Sequence, residues 1–217
     1  PYIHLEEKLG NTRKCIELIY SYGFGLAIQT KSARILRDLD LLKKINDKTK
    51  CVVQMTLTTY DEALCKIIEP NVSTTRERFE VLKTMRDNGI PTVVWLSPIL
   101  PFINDTEENI RGILNYCIEA KVHGIICFGM GLTLREGNRG YFYKRLDEHF
   151  PGMKTRYIER YNYAYQIPSP NNDKLMNMMK RTCKSHGILC DIEECFNYLH
   201  KFEERNDHEQ LMLPGLD

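Results

Sequence analysis

Four short apolar runs rich in β-branched residues, each followed by a pattern of helical period, constrain this chain more than any other feature. That alternation is what a parallel sheet with crossover helices requires. The runs are FGLAIQ (24–29), CVVQMTL (51–57), TVVWLS (92–97) and GIICF (124–128). Spacing predicts helices near 35–46, 60–68, 75–88 and 106–121 between them. In the third, Phe79, Leu82 and Met85 recur at three-residue steps before Gly89 and Pro91 stop it; in the fourth, Ile110, Ile113, Leu114 and Cys117 make the inward stripe. A helix over 12–22 precedes the first strand, which makes the βα series read as truncated. Beyond GIICF comes a glycine-bearing turn, GMGLTLREGNRG, and after about residue 150 the pattern is helical only, over 151–164, 171–186 and 192–203. PSP at 168–170 breaks that run, and Asp191 with Glu194 stands at capping-box spacing before the stripe Ile192, Cys195, Phe196, Leu199 and Phe202. The expected architecture is α/β: a partial parallel βα barrel over 1–150, a helical extension packed on it over 151–205, and a flexible tail over 206–217.

Composition excludes several classes. With 217 residues, 42% of them hydrophobic and 27% charged, the chain can bury a substantial core. Lysine and arginine number 30 against 29 aspartates and glutamates, a net charge of +1, so any anion or DNA site must be local. No apolar run approaches the roughly 20 residues of a membrane span and no charged-then-apolar leader opens the sequence, so a soluble cytoplasmic protein is expected. The eight cysteines lie mostly in apolar segments and no CxxC occurs, which suits reduced, packed thiols. Cys183, His186, Cys190 and Cys195 fall within thirteen residues, but their spacing is poor for zinc and no metal site is assigned.

Ligands of parallel βα folds bind at the carboxyl ends of the strands, where loops vary without disturbing the core. Those ends read Thr30-Lys31-Ser32, Thr56-Leu57-Thr58-Thr59, Ser97-Pro98-Ile99-Leu100-Pro101 and Phe128-Gly129-Met130-Gly131. Three present hydroxyls, one presents a lysine, and two offer small or proline-bounded backbone that a flat ring can approach. The set suits a nucleoside-like ligand bearing a carboxylate or phosphate. Lys31 has a plainer alternative, pairing with Glu6, Asp38 or Asp61 or extending into water, and the hydroxyls can serve as helix caps.

Several segments together resemble the radical S-adenosylmethionine (SAM) enzymes, and within them the spore photoproduct lyase-like, DNA repair photolyase-related group. They are PYIHLEE (1–7), TRKCIELI (12–19), TKSARILRDLDLL (30–42), MTLTTYDEALCKIIEP (55–70), RFEVLKTMRDNGIP (78–91) and SPILPFIND (97–105). The resemblance implies a six-stranded partial barrel of which this chain holds strands three to six. It implies that Lys31 grips the SAM carboxylate, that Thr56 supplies a hydroxyl contact to ribose or amino acid, and that the backbone of Leu96 and Ser97 lies along the adenine. Tyr2 and Glu6 match a family segment after strand two, although His4 stands where that pattern usually has proline. The family also binds a [4Fe-4S] cluster through CxxxCxxC, which this sequence lacks; the resemblance places that triad before Pro1, leaving a C-terminal fragment inactive alone. In the intact enzyme an electron, from a donor of the flavodoxin or ferredoxin type, cleaves SAM reductively. The resulting 5′-deoxyadenosyl radical takes hydrogen from substrate, which the resemblance to the spore photoproduct lyase-like group implies to be a thymine lesion in DNA.

A reading from another class is a non-catalytic module that docks on DNA or on a sliding clamp. RYIERYNYAYQ (156–166) interleaves arginine and tyrosine, as phosphate contact with base stacking would need, or packs its tyrosines against the barrel. QLMLPGLD, at the C-terminus, resembles clamp-docking peptides but has Pro214 where they carry an aromatic. A phosphate-binding aldolase-like barrel is a third possibility and would need Lys31 as an imine-forming amine.

Overall fold

A computed structural model describes residues 2–202. Helices α1 (Glu6–Leu9) and α2 (Asn11–Ser21) precede β1 (Leu26–Thr30), a 3-10 turn (Ala33–Asp38) and α3 (Leu39–Lys48). Then follow β2 (Cys51–Thr56), α4 (Glu62–Ile68), α5 (Thr75–Asp87), β3 (Thr92–Trp95), α6 (Glu107–Glu119) and β4 (Gly124–Ile126). The four strands form one parallel sheet in the order β1-β2-β3-β4, with Leu26 opposite Cys51, Val53 opposite Thr92 and Val93 opposite Gly124. This is the α/β partial barrel the sequence predicts. Side-chain polarity matches capping at the helix starts: Thr74 and Glu77 form a capping box on α5, Thr106 accepts from Asn109 N on α6, and Asp61 from Leu64 N on α4.

Alternation along the strands sorts residues onto two faces. Cys51, Val53, Met55, Val94 and Ile125 pack with Ile45, Leu82, Ile113 and Met179 under the crossover helices. Val52, Val93 and Ile126 face the other way, onto Cys195 and Leu199 of α10 (Ile192–His200). Covered on both sides, β2 is buried at all six positions, whereas β1 alternates and leaves Ala27 and Gln29 exposed. The chain after α10 continues toward the start of β1. There the Lys50 ammonium donates to the carbonyls of Tyr198 (2.5 Å) and Lys201 (2.9 Å), and the Phe202 ring fills the place a Cβ on Gly25 would take. Only glycine fits there.

Between β4 and α9 (Asn172–His186) the chain departs from a plain βα unit. Strands β5 (Gly131–Thr133) and β6 (Gln166–Pro168) pair antiparallel and bracket α7 (Asn138–His149) and α8 (Met153–Tyr161), which close over a cluster of Leu134, Leu146, Tyr157 and Ile167. Where spacing predicts a turn over 129–140 and helices only after 150, the structure has this inserted unit, and the division expected at 150 passes between its two helices. The aromatics of α7 are consecutive, Tyr141, Phe142 and Tyr143, and make no stripe of helical period; contact with Tyr157 selects which turn inward. After α9, Leu189 bridges Gly124 in parallel, so the extension adds a rudimentary edge to the sheet as well as helices. No described helix is long and apolar enough to cross a membrane. The expected tail over 206–217 lies outside the described residues.

Candidate functional site

A cavity of about 460 Å³ opens where the strands end. One wall is the barrel mouth: Lys31 after β1, Thr58 after β2, Pro98 and Leu100 after β3, and Glu69 beyond α4. Facing it, the inserted unit supplies Leu132, Tyr141, Phe142, Arg145 and His149. A mostly apolar enclosure carrying a few charged groups is the usual form of a small-ligand site.

The loops of the barrel wall are braced by two buried asparagines. Asn104 accepts from Leu100 N (2.6 Å) and donates to Thr58 O and Thr59 Oγ1, both at 3.0 Å. Asn109 donates to Thr58 O (2.9 Å) and to Asn104 O (2.8 Å), and accepts from Tyr60 N (2.6 Å). The turns after β2 and β3 are therefore fixed to one another by bonds shielded from water. Asp105 extends the brace to the insertion, accepting from Ser169 Oγ at 2.5 Å just past β6. Burial pushes the Asp105 carboxyl above its ordinary range, against the opposing hydrogen bond from Ser169.

Electrostatics at the mouth centre on Glu69. Its carboxylate meets Lys31 Nζ at 2.5 Å and Arg78 Nη2 at 2.8 Å. Arg78, on the inward side of α5, is fully buried and also donates from Nε to Ser73 O (2.6 Å) and from Nη1 to Thr56 O (2.9 Å). Burial works to raise the Glu69 carboxyl, but Arg78 and Lys31 outweigh it and hold it below its usual value.

The residues expected from sequence divide into three groups. Lys31 lines the cavity among the strand tips, and its partner is Glu69 rather than Glu6, Asp38 or Asp61. Thr56 is buried at the end of β2 with its carbonyl held by Arg78, and Ser97 is half-buried after β3, before a cis bond to Pro98. The Leu96 side chain belongs to the core under the helices, and its N–H donates to Ile126 O at 2.9 Å, so its amide serves the sheet. Of the residues expected from sequence only Lys31 lines the cavity; Thr56, Leu96, Ser97, Tyr2 and Glu6 do not. Tyr2 is buried under the Arg37 guanidinium, 5.4 Å from its ring centroid, with its hydroxyl pushed up by burial and by Asp38. Glu6 accepts from Thr12 N (2.5 Å) and Arg37 Nη2 (3.2 Å), contacts that lower its carboxyl. Both tie the N-terminal helices to the 3-10 turn.

Glu69 and Arg78 were not singled out by the sequence reading, although one signal was there. Arg78 lies between Thr75 and Phe79 on the stripe that Leu82 and Met85 continue, and an arginine on an inward stripe needs a buried anion. In the RYIERYNYAYQ segment Tyr157 is buried and donates to Pro101 O (2.7 Å), Tyr161 is half-buried and donates to Pro168 O (2.7 Å), and the Arg156 guanidinium stacks 3.8 Å over Phe102, while Tyr163 and Tyr165 are exposed. Among the described residues no group of three or more His, Cys, Asp or Glu is placed to hold a metal ion, Cys183, His186, Cys190 and Cys195 included.

Comparison with known proteins adds family information. The family model described as Radical SAM superfamily matches residues 2–117. An uncharacterized protein of Mycobacterium tuberculosis (strain ATCC 25618 / H37Rv) is 27% identical over 175 residues, 81% of this chain and 51% of that protein. An uncharacterized protein of Acidianus two-tailed virus is 28% identical over 172 residues, 73% of this chain and 56% of that protein. The chain thus spans about half the length of the curated relatives it matches. A solved domain of pyruvate-formate lyase-activating enzyme from Bacteroides vulgatus ATCC 8482 is similar with a TM-score of 0.52 at 12% identity, covering 84% of this chain and 91% of that one. At that identity the likeness is one of fold.

Proposed function

We propose, from the premise that this chain belongs to the radical SAM superfamily, that it carries the SAM-holding mouth of a radical SAM enzyme, with Lys31 as the anchor for the ligand's carboxylate. The single observation that supports this reading most is the Lys31 ammonium standing among the strand tips on the wall of a ligand-sized cavity. Thr56 is proposed as a polar contact near ribose or amino acid, and the backbone around Leu96 and Ser97 as the surface along the adenine. Tyr2 and Glu6 are proposed to act at a distance, through the 3-10 turn that follows Lys31 and Ser32.

The family implies SAM and a [4Fe-4S] cluster. A cationic side chain in an otherwise mostly apolar cavity fits the carboxylate end of SAM. The cluster does not fit this chain: the sequence has no CxxxCxxC, and no described group of residues could take its place. Reductive cleavage and hydrogen abstraction are chemistry supplied by the bound cofactors of the whole protein, and no step of it falls to residues here. What these residues do is bind, orient and exclude water.

Calorimetric titration of SAM into the protein tests the reading. Lys31→Ala is expected to weaken binding by roughly 10- to 100-fold, the worth of one charge-assisted hydrogen bond at about 1.5–3 kcal/mol. Unchanged affinity would remove Lys31 from the site. At a finer level we propose the spore photoproduct lyase-like group, with a thymine lesion in DNA as substrate and a flavodoxin- or ferredoxin-type donor. The ordered run of sequence segments from Pro1 to Asp105 supports that proposal. Incubating the whole, reconstituted protein with SAM, reductant and lesion-bearing DNA checks it, and persistence of the lesion would count against it.

A further inference from the structure

Two cations at the cavity mouth share one carboxylate. Glu69 bridges Lys31 through Oε1 and Arg78 through Oε2, and among the described residues no other carboxylate forms an ion pair with either. The trio therefore carries one surplus positive charge, beside a cavity that both Lys31 and Glu69 line. Its two cations differ in freedom. Arg78 is fully buried and fixed by backbone acceptors at Ser73 and Thr56, whereas Lys31 is 38% exposed on a flexible four-carbon stem. Arg78 Nη2 and Glu69 Oε2 lie buried 2.8 Å apart without the alignment of a hydrogen bond, so that contact is held by charge more than by direction.

We propose that Glu69 is a resident counter-ion that competes with the ligand's anionic group for Lys31, and that Arg78 keeps Glu69 neutralised while Lys31 turns to the ligand. The ligand class is a small monoanion, carboxylate or phosphate, carried on a body that fits the apolar part of the cavity. This deepens the SAM reading and rests on it for the identity of the ligand. Without Arg78, taking Lys31 away would strand a buried carboxylate, at a large desolvation cost; with Arg78 in place the exchange swaps one ion pair for another. Lys31 is thus kept ordered when no ligand is bound, and Glu69 sets how strong an anion must be to claim it.

Three probes titrated into the protein decide the matter: S-adenosylhomocysteine, which carries a carboxylate, 5′-methylthioadenosine, which lacks one, and inorganic phosphate. Glu69→Gln is expected to tighten S-adenosylhomocysteine and phosphate about tenfold and to leave methylthioadenosine within about twofold, since only the competition for Lys31 is relieved. Lys31→Gln should weaken the same two. A role confined to stability would move the melting temperature and none of these affinities. Should the glutamine variant fail to fold, Glu69→Asp keeps a charge beside Arg78 but draws it back from Lys31, and the same tightening is expected. If Glu69→Gln leaves S-adenosylhomocysteine unchanged or weakens it while Lys31→Gln weakens it, the counter-ion proposal is overturned and the SAM reading stands. If phosphate follows the expected pattern but neither adenosyl compound binds, the SAM reading fails and the counter-ion proposal stands. Binding of none of the three by the unaltered protein overturns both.

Discussion

Glu69 and Asp105 are both shielded from water, yet their neighbours drive them in opposite directions. Burial raises both carboxyls; at Glu69 two cations reverse the effect, while at Asp105 the Ser169 hydroxyl does not. The signs of their pH dependence follow by linkage. The lowered value at Glu69 stabilises the fold above the ordinary carboxylate range, and that stability is lost as pH falls through the lowered value. Glu69→Gln should therefore flatten the acid limb of a plot of unfolding free energy against pH. The raised value at Asp105 means stability is greatest below the ordinary carboxylate range and declines as pH rises through the raised value. Asp105→Asn, which keeps an acceptor for Ser169, should then unfold at higher urea than the unaltered protein at pH 7 and lose that advantage on acidification. Asn104 is a sharper case: Asn104→Ala strands Leu100 N and takes one of two donors from Thr58 O, and a loss of about 1–3 kcal/mol is expected in urea titrations, the cost of one buried unsatisfied group. Lys31 was legible in the sequence because a lysine directly after an apolar strand calls for an explanation. Glu69 was not, because its neighbours in sequence are Ile68 and Pro70 while its partners lie at Lys31 and Arg78.

At the scale of elements, α10 separates what periodicity can specify from what it cannot. Its apolar stripe and the capping aspartate, with Asp191 Oδ1 accepting from Glu194 N at 3.0 Å, were readable directly. Which surface it covers was not, because a stripe fits any apolar partner; the structure lays it on Val52, Val93 and Ile126, opposite the crossover helices. Two measurements test this placement. Leu199→Ala should cost about 2–4 kcal/mol, as for other buried leucines. Phe196→Ala should red-shift the fluorescence of Trp95, the protein's single tryptophan, whose ring lies 6.1 Å from Phe196. If the emission does not move, α10 does not cover that face in solution. Helix α7 is the opposite case, invisible to spacing because three consecutive aromatics carry no period.

Across the whole molecule, stability is expected to grade from the sheet outward. The central strand β2 has both faces covered, while the insertion closes over a small separate cluster joined to the barrel through Phe102 and the Tyr157 bond to Pro101. In hydrogen exchange, amides of β2 and β3 should be the slowest, and Tyr157→Phe should speed exchange in α7 and α8 without accelerating β2; equal acceleration in both would mean that they open as one unit. The sequence by itself determined the parallel βα order, the positions of the four parallel strands and the inward faces of α5, α6 and α10, because period and polarity are local properties that the backbone converts directly into geometry. Tertiary structure alone decided that residues 131–168 form an inserted unit facing the barrel mouth, that α10 covers the second face of the sheet, and that Glu69 and Arg78 meet Lys31. Those outcomes depend on contacts between residues far apart in the chain, and no local pattern encodes which distant surface will exclude water from which.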